Sequence, residues 1–223
     1  MSIMIAKEIV SFEILPLKTS DTCSFALNVM EENRVNHLPV VNERELLGVV
    51  SEFDLVNHTD PEDAVGNVKL SLPNAFISEY QHVFDVMKMM TEMKLSLLPV
   101  IDQRNTYNGV ITLPNLLRFL TLNMSILNPG GIIILEIAEN NYSMAEISQI
   151  VESNDSRIIG AFFTTRPDST LIDLTLKINN IDLNPVIQTF ERYNYTIKAT
   201  FAEEDDMDDL KERYDALMNY LNI

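Results

Sequence analysis

The sequence predicts a mixed fold, an α/β repeat pair followed by an α+β domain of a different kind, and three observations carry that prediction. The first is an internal repeat. GVVSEFDL at residues 48–55 returns as GVITLPNL at residues 109–116, each behind an LPV triplet that begins at Leu38 and at Leu98. The triplets lie 60 residues apart and the glycines 61, so the second copy carries one extra loop residue. A period of that length is too long for a solenoid array and fits two copies of one small module. The second observation is that each copy reads in the order strand, helix, strand, strand, helix. The third is a break at Asn128-Pro129-Gly130-Gly131, after which the pattern changes to strand, helix, strand, strand, helix, strand.

In order along the chain, FEILPLK at residues 12–18 mixes apolar residues with a proline and reads as an edge strand. A helix follows, with Ser20 or Asp21 as its expected cap and Ala26, Val29 and Met30 at helical spacing. LPVV resumes a strand, and His37 adjoins it as a partly exposed histidine. Val49 and Val50 end the next strand. Ser51 is a good N-cap, and Asp54 three residues on completes a Ser-x-x-Asp pattern that resembles a capping box. Capping, worth about 1 kcal/mol, accounts for both residues. The same pair has a second reading, because a helix start offers N–H groups and a hydroxyl to a phosphate, and a carboxylate suits a ribose diol.

Residues 57–73 form a polar connector containing Asp60-Pro61 and Gly66. His58, Asp60, Glu62 and Asp63 lie in it and read as solvated linker rather than as metal ligands. The second copy then repeats the order, with Val83, Val86, Met87 and Met90 on one helical face. Its methionines, Met87, Met89, Met90 and Met93, read as adaptable core, with subunit contact as the alternative. Thr112 and Asn115 occupy the places of Ser51 and Asp54, with Pro114 in the helix's first turn, where proline is tolerated. Leu116, Leu117, Phe119 and Leu120 close the repeat. The expected boundaries are 1–68 for the first copy and 69–127 for the second.

Beyond the break, IIILEIA at residues 132–138 is a strand, and Met144, Ile147 and Val151 give a helix capped by Ser143. RIIGAFFTT and TLIDLTLKI are two further strands around a turn at Pro167-Asp168. Leu183, Val186, Ile187 and Phe190 mark a second helix, and YTIKATF is the last strand. That order over 130–202 predicts an antiparallel sheet with both helices on one face, the ferredoxin-like βαββαβ motif. The remaining 203–223 begins EEDDMDD and continues with Leu210, Tyr214, Leu217, Met218 and Leu221, the pattern of an amphipathic helix with an acidic first turn.

Composition limits the function. The 223 residues are 46% apolar and 22% charged, enough for a full core. A formal charge of −17 argues against nucleic acid and anionic membrane as partners, since both require a basic face. A lone cysteine, Cys23, leaves no internal disulfide, and the three scattered histidines make no zinc pattern. No apolar run approaches the ~18 residues of a membrane span. The N-terminus does not read as a signal peptide, so a cytoplasmic protein is expected. The six glycines make neither GxGxxG nor a P-loop, and no HExxH or serine elbow occurs, so no enzymatic activity is expected.

Residues 38–55 and 98–116 resemble the C-terminal halves of a tandem CBS-domain pair, whose signature is Gly, two apolar residues, Ser or Thr, two free positions and Asp. The resemblance implies a pseudo-twofold module with two clefts for adenosyl compounds: AMP, ADP, ATP, NAD or S-adenosylmethionine. It implies that Asp54 holds a ribose and that Ser51 or Thr112 meets a phosphate, with His37 a further phosphate candidate. Asn115 departs from the signature and offers its cleft one acceptor fewer. The 130–202 segment resembles an ACT domain in topology, and its first strand-to-helix loop, ENNYS, lacks that family's usual Asp and Gly. The CBS, CBS, ACT order resembles the bacterial acetoin-utilisation-type regulatory proteins. Together these imply a homodimeric regulatory protein that senses an adenosyl ligand, needs no cofactor and acts on a partner protein that the sequence does not name. The alternative is a scaffold whose pockets have degenerated.

Overall fold

The computed structural model describes residues 3–165, Pro167 and residues 169–202, and the chain divides into two compact units, Met1–Asn123 and Met124–Ile223. The division falls a few residues ahead of the proline–glycine break. The amphipathic helix expected over 203–223 lies outside the described residues.

In the first unit, each repeat folds as β-α-β-β-α. The first comprises β1 (Leu17–Lys18), α1 (Cys23–Asn33), β2 (His37–Asn42), β3 (Glu45–Ser51) and α2 (Glu52–Val56). The second comprises β4 (Ile77–Ser78), α3 (Val83–Glu92), β5 (Leu97–Ile101), β6 (Tyr107–Thr112) and α4 (Leu113–Asn123). Each makes a three-stranded sheet, β1-β2-β3 and β4-β5-β6, with the first pair parallel and the second antiparallel. The strand expected over 12–18 shrinks to Leu17–Lys18, because Pro16 brings no N–H to the ladder. The α1 cap is Thr22, whose hydroxyl accepts from Phe25 N, rather than Ser20 or Asp21. Asp21 instead accepts from Lys18 N at 2.7 Å and closes the turn after β1.

The repeats exchange their leading segments, which no sequence motif announced. Residues 4–12 pack on the second repeat: Ala6 N donates to Gln81 O, Lys7 N to Glu79 O, and Ser11 pairs with Val110 in both directions. Residues 63–73 pack on the first: Val65 N donates to Asp21 O, Gly66 N to Thr19 O, and Val49 N to Leu72 O. Accordingly Ala6 and Ile9 are buried in the second repeat's core, and Val65 and Val68 in the first. The motif glycines follow from this exchange. A Cβ on Gly48, at φ +146°, would lie 2.9 Å from Pro73 Cα, and one on Gly109, at φ +90°, 2.8 Å from Ser11 O.

The cores follow the helical spacing read from the sequence. Ala26 and Met30 of α1, Val83, Val86 and Met90 of α3, and Leu116 of α4 are buried. The methionine helix is only partly core: Met90 is buried and Met89 partly so, whereas Met87 and Met93 are exposed.

The second unit is the predicted βαββαβ, with β7 (Gly131–Ala138), α5 (Met144–Glu152), β8 (Ile158–Thr165), β9 (Leu171–Ile178), α6 (Asn184–Arg192) and β10 (Thr196–Ala202). The sheet order is β10-β7-β9-β8, antiparallel throughout. Ile133, Leu135 and Ile137 of β7 and Leu174 and Leu176 of β9 share one buried cluster with Ile147 and Val151 of α5 and Val186 and Phe190 of α6. Both helices therefore lie on one face. Ser143 caps α5 by accepting from Glu146 N, as predicted. The ENNYS loop opens with a short 3₁₀ turn over Glu139–Asn141.

Candidate functional site

The site is built where β3 runs into α2. The extended backbone of Ser51 ends the strand and turns its side chain onto the helix start. Ser51 Oγ accepts from Asp54 N at 3.2 Å, and Asp54 Oδ2 accepts from Ser51 N at 3.0 Å, so the capping box read from the sequence is complete. A residue outside the motif joins it. Ser71, on the exchanged segment, donates to Asp54 Oδ2 through its hydroxyl at 2.8 Å and through its N–H at 3.3 Å. Burial opposes ionisation of Asp54, but the hydrogen bonds from Ser51 and Ser71 together outweigh it and hold the carboxyl below its usual range. All these donors converge on Oδ2, and Oδ1 accepts from no described residue.

His37 stands opposite Ser51 in the β2–β3 register. Its Nδ1 accepts from Ser96 N at 3.2 Å and lies 3.1 Å from Ser96 Oγ, which in turn accepts from Asn36 N at 3.0 Å. Because Nδ1 accepts a backbone N–H, the ring proton belongs on Nε2. Burial lowers the histidine's pKa, with the charge of Asp54 partly opposing the shift. His37 therefore ties the two repeats together through Ser96, and its burial favours the neutral ring. Asn36 also donates to Glu52 at the start of α2.

The second copy differs at every equivalent position. Thr112 Oγ1 accepts from Asn115 N at 3.3 Å, but among the described residues no bond returns from the Asn115 side chain. Leu97 takes the place of His37, since it pairs with Thr112 as His37 pairs with Ser51. The Ser11–Val110 and Leu72–Val49 bridges align the exchanged segments, so Val10 takes the place of Ser71. Thus Ser51, Asp54 and His37 gather in one constellation, and Thr112 and Asn115 in a second, poorer one. Ser71 and Ser96 were missed because they belong to segments without a motif. Only the alignment of the two leading segments, which their sequences do not suggest, would have exposed Ser71.

The acidic connector is occupied with turn chemistry. His58 Nε2 pairs with Asp63 Oδ2 at 2.9 Å, Asp63 also accepts from Asn67, and Glu62 accepts from Ser24. No cluster of three or more His, Cys, Asp or Glu side chains able to hold a metal occurs among the described residues. No helix among them is long and apolar enough to cross a membrane.

Two interlocked βαββα modules each present a hydroxyl and a carboxylate or amide at the helix after the third strand. The CBS-domain family model matches residues 6–60 and 65–122, half of the chain, and this chain belongs to that family. Among curated relatives it is 27% identical over 125 residues to a homoserine O-acetyltransferase of Methanococcus vannielii, covering 53% of this chain and 25% of that protein. It is 29% identical over 114 residues to an inosine-5'-monophosphate dehydrogenase of Methanocaldococcus jannaschii, covering 51% of this chain and 23% of the relative. The match thus spans about a quarter of each relative's length. Among solved structures, a CBS domain pair/ACT domain protein of Thermotoga maritima is 27% identical, with 53% of this chain and 98% of that one covered at a TM-score of 0.49. The structure of CBSX2 in complex with AMP is 23% identical, with 53% and 96% covered at a TM-score of 0.46.

Proposed function

We propose that this protein is a cytoplasmic, non-enzymatic regulator whose CBS pair binds an adenosyl compound at Ser51 and Asp54 and transmits occupancy through homo-oligomeric assembly. The observation that carries the reading is Asp54: an ionised carboxylate held by Ser51 and Ser71 through one oxygen, with its other oxygen unused by the described residues. A carboxylate so placed serves as an acceptor for ribose hydroxyls, and the Ser51 hydroxyl lies beside it at the helix start, where a phosphate oxygen would meet it. His37, neutral, contributes an N–H rather than a charge.

Assembly is supported by apolar side chains left exposed on the helices, among them Phe53 (76% exposed) on α2 and Leu117 (66%) on α4. The strand order of the second unit supports an ACT-like assembly module, and the acetoin-utilisation type is the context this combination suggests. A constitutive scaffold is the second reading, favoured by the loss of acceptors at Asn115 and Val10. A thermal-shift panel of AMP, ADP, ATP, NAD and S-adenosylmethionine separates the two. A ligand at 100 times its Kd stabilises by about 2.7 kcal/mol, whereas a scaffold responds to none.

A further inference from the structure

The sheet of the second unit has one face that its own helices leave open. Burial alternates along β7 and β9: Ile133, Leu135, Leu174 and Leu176 turn into the core under α5 and α6, and their neighbours turn the other way. The register puts Phe201, Ile132 and Lys177 in one rung of this outer face, and Ala199, Ile134, Thr175 and Phe162 in its next rung. The rung beyond holds Glu136 and Asp173, the latter paired with Lys198. One half of the face is thus largely apolar and the other charged. In the apolar half Phe162 and Phe201 are exposed and Ile132 and Ile134 half-buried.

The apolar half lies where the chain leaves the sheet. β10 ends at Ala202, opposite Gly131 and next to Phe201, and residues 203–223 follow directly. Their sequence carries the apolar stripe Leu210, Tyr214, Leu217, Met218 and Leu221 behind the acidic run EEDDMDD. As a helix, 210–221 would be about 18 Å long, against about 14 Å across the four strands. Residues 203–209, which can span about 23 Å, leave room to turn the chain back. Charge agrees at that end of the sheet. Lys177 Nζ reaches to 3.5 Å from Gly130 O, and the exposed Arg157 is tied by its backbone to Asn179 just past β9, so two basic residues stand where the acidic run departs. We propose that residues 203–223 fold back over this face as a helix, seating the Leu210–Leu221 stripe on Ile132, Ile134, Phe162 and Phe201 and making the second unit a three-layer domain. Tethered at the rim of the patch, the segment meets it at an effective concentration on the order of millimolar, which a second copy of the chain does not reach in dilute solution.

The test is thiol labelling of the full chain with a maleimide, against a low background because the lone Cys23 is buried. The probes are Ile134→Cys and Phe162→Cys, made separately so that a strand disturbed by one leaves the other to decide. Each is placed in the otherwise native chain, in a chain carrying Leu217→Glu with Leu221→Glu on the stripe, and in one carrying Ala216→Glu with Asn219→Glu off it. In the otherwise native chain the probe should react at least about tenfold more slowly than in the stripe variant, because reagent reaches it only while the helix is undocked. The off-stripe variant, with the same added charge, should stay protected. Protection should not change with protein concentration. Equal rates in all three chains overturn the proposal, as does loss of protection in the off-stripe variant. Protection that fades on dilution places a second copy on the face and overturns it too.

Discussion

Replacing Gly48 by alanine tests the exchange of leading segments and its coupling to the site in one perturbation. The added Cβ would meet Pro73 Cα at 2.9 Å, Leu70 Cδ1 at 3.0 Å and Leu72 O at 3.3 Å, so two of its three nearest contacts are backbone of the exchanged segment. The positive φ of +146° is itself unfavourable for a side chain. Backbone strain of about 1–3 kcal/mol and overpacking of a similar size together predict a loss of about 2–6 kcal/mol. Because Ser71 lies within the displaced stretch, the same change should loosen its hold on Asp54 and weaken AMP binding. Gly160→Ala is the control: its Cβ would find nothing nearer than 3.4 Å, and its φ is ordinary, so its effect should stay within about 1 kcal/mol. Chemical denaturation and AMP titration of both variants give the comparison. If Gly48→Ala is no more damaging than Gly160→Ala, the close approach of the two segments is not what the motif glycine serves.

Among the described residues the buried Tyr107 hydroxyl has no hydrogen-bond partner, so Tyr107→Phe should be neutral or stabilising by up to about 1–3 kcal/mol in urea melts. For His37, whose folded pKa is lowered, the unfolded chain takes up its proton first. Stability is therefore complete above about pH 6.5 and falls as pH drops towards the folded pKa, a slope that His37→Gln should remove from pH-dependent melts. Asp54, also lowered, keeps its stabilisation above about pH 3.9 and loses it as pH falls through the folded value; Asp54→Asn should flatten that separate, more acidic window. In light scattering the wild type should run as the proposed homodimer, and Phe53→Glu combined with Leu117→Glu as the 25.4 kDa monomer; a monomeric wild type would contradict the assembly, and an unchanged dimer would place its interface elsewhere.

Much of this was legible because it is written in local pattern. The repeat, the helix faces at Ala26, Met30, Val83 and Met90, and the βαββαβ order depend on spacing within short windows, and the Ser51–Asp54 box spans only four residues. What escaped depends on contacts between distant segments. Ser71 meets Asp54 across 17 residues, and Ser96 meets His37 across 59. Neither contact leaves a periodicity, because both donors sit on irregular segments outside the helices and strands. The cap of α1 escaped for a smaller reason: three adjacent residues, Ser20, Asp21 and Thr22, all suit the position, and the turn after β1 claims Asp21. The weakness of the second copy was half visible, in Asn115, and half hidden, in Val10.

The most direct test of the central claim is titration of AMP into wild type, Asp54→Ala and Asn115→Ala. A hydrogen bond to a charged group contributes about 1.5–3 kcal/mol, so Asp54→Ala should weaken binding by roughly ten- to hundredfold while Asn115→Ala leaves it nearly unchanged. Equal affinities for all three, or a larger loss from Asn115→Ala, would contradict the placement of the ligand at Asp54.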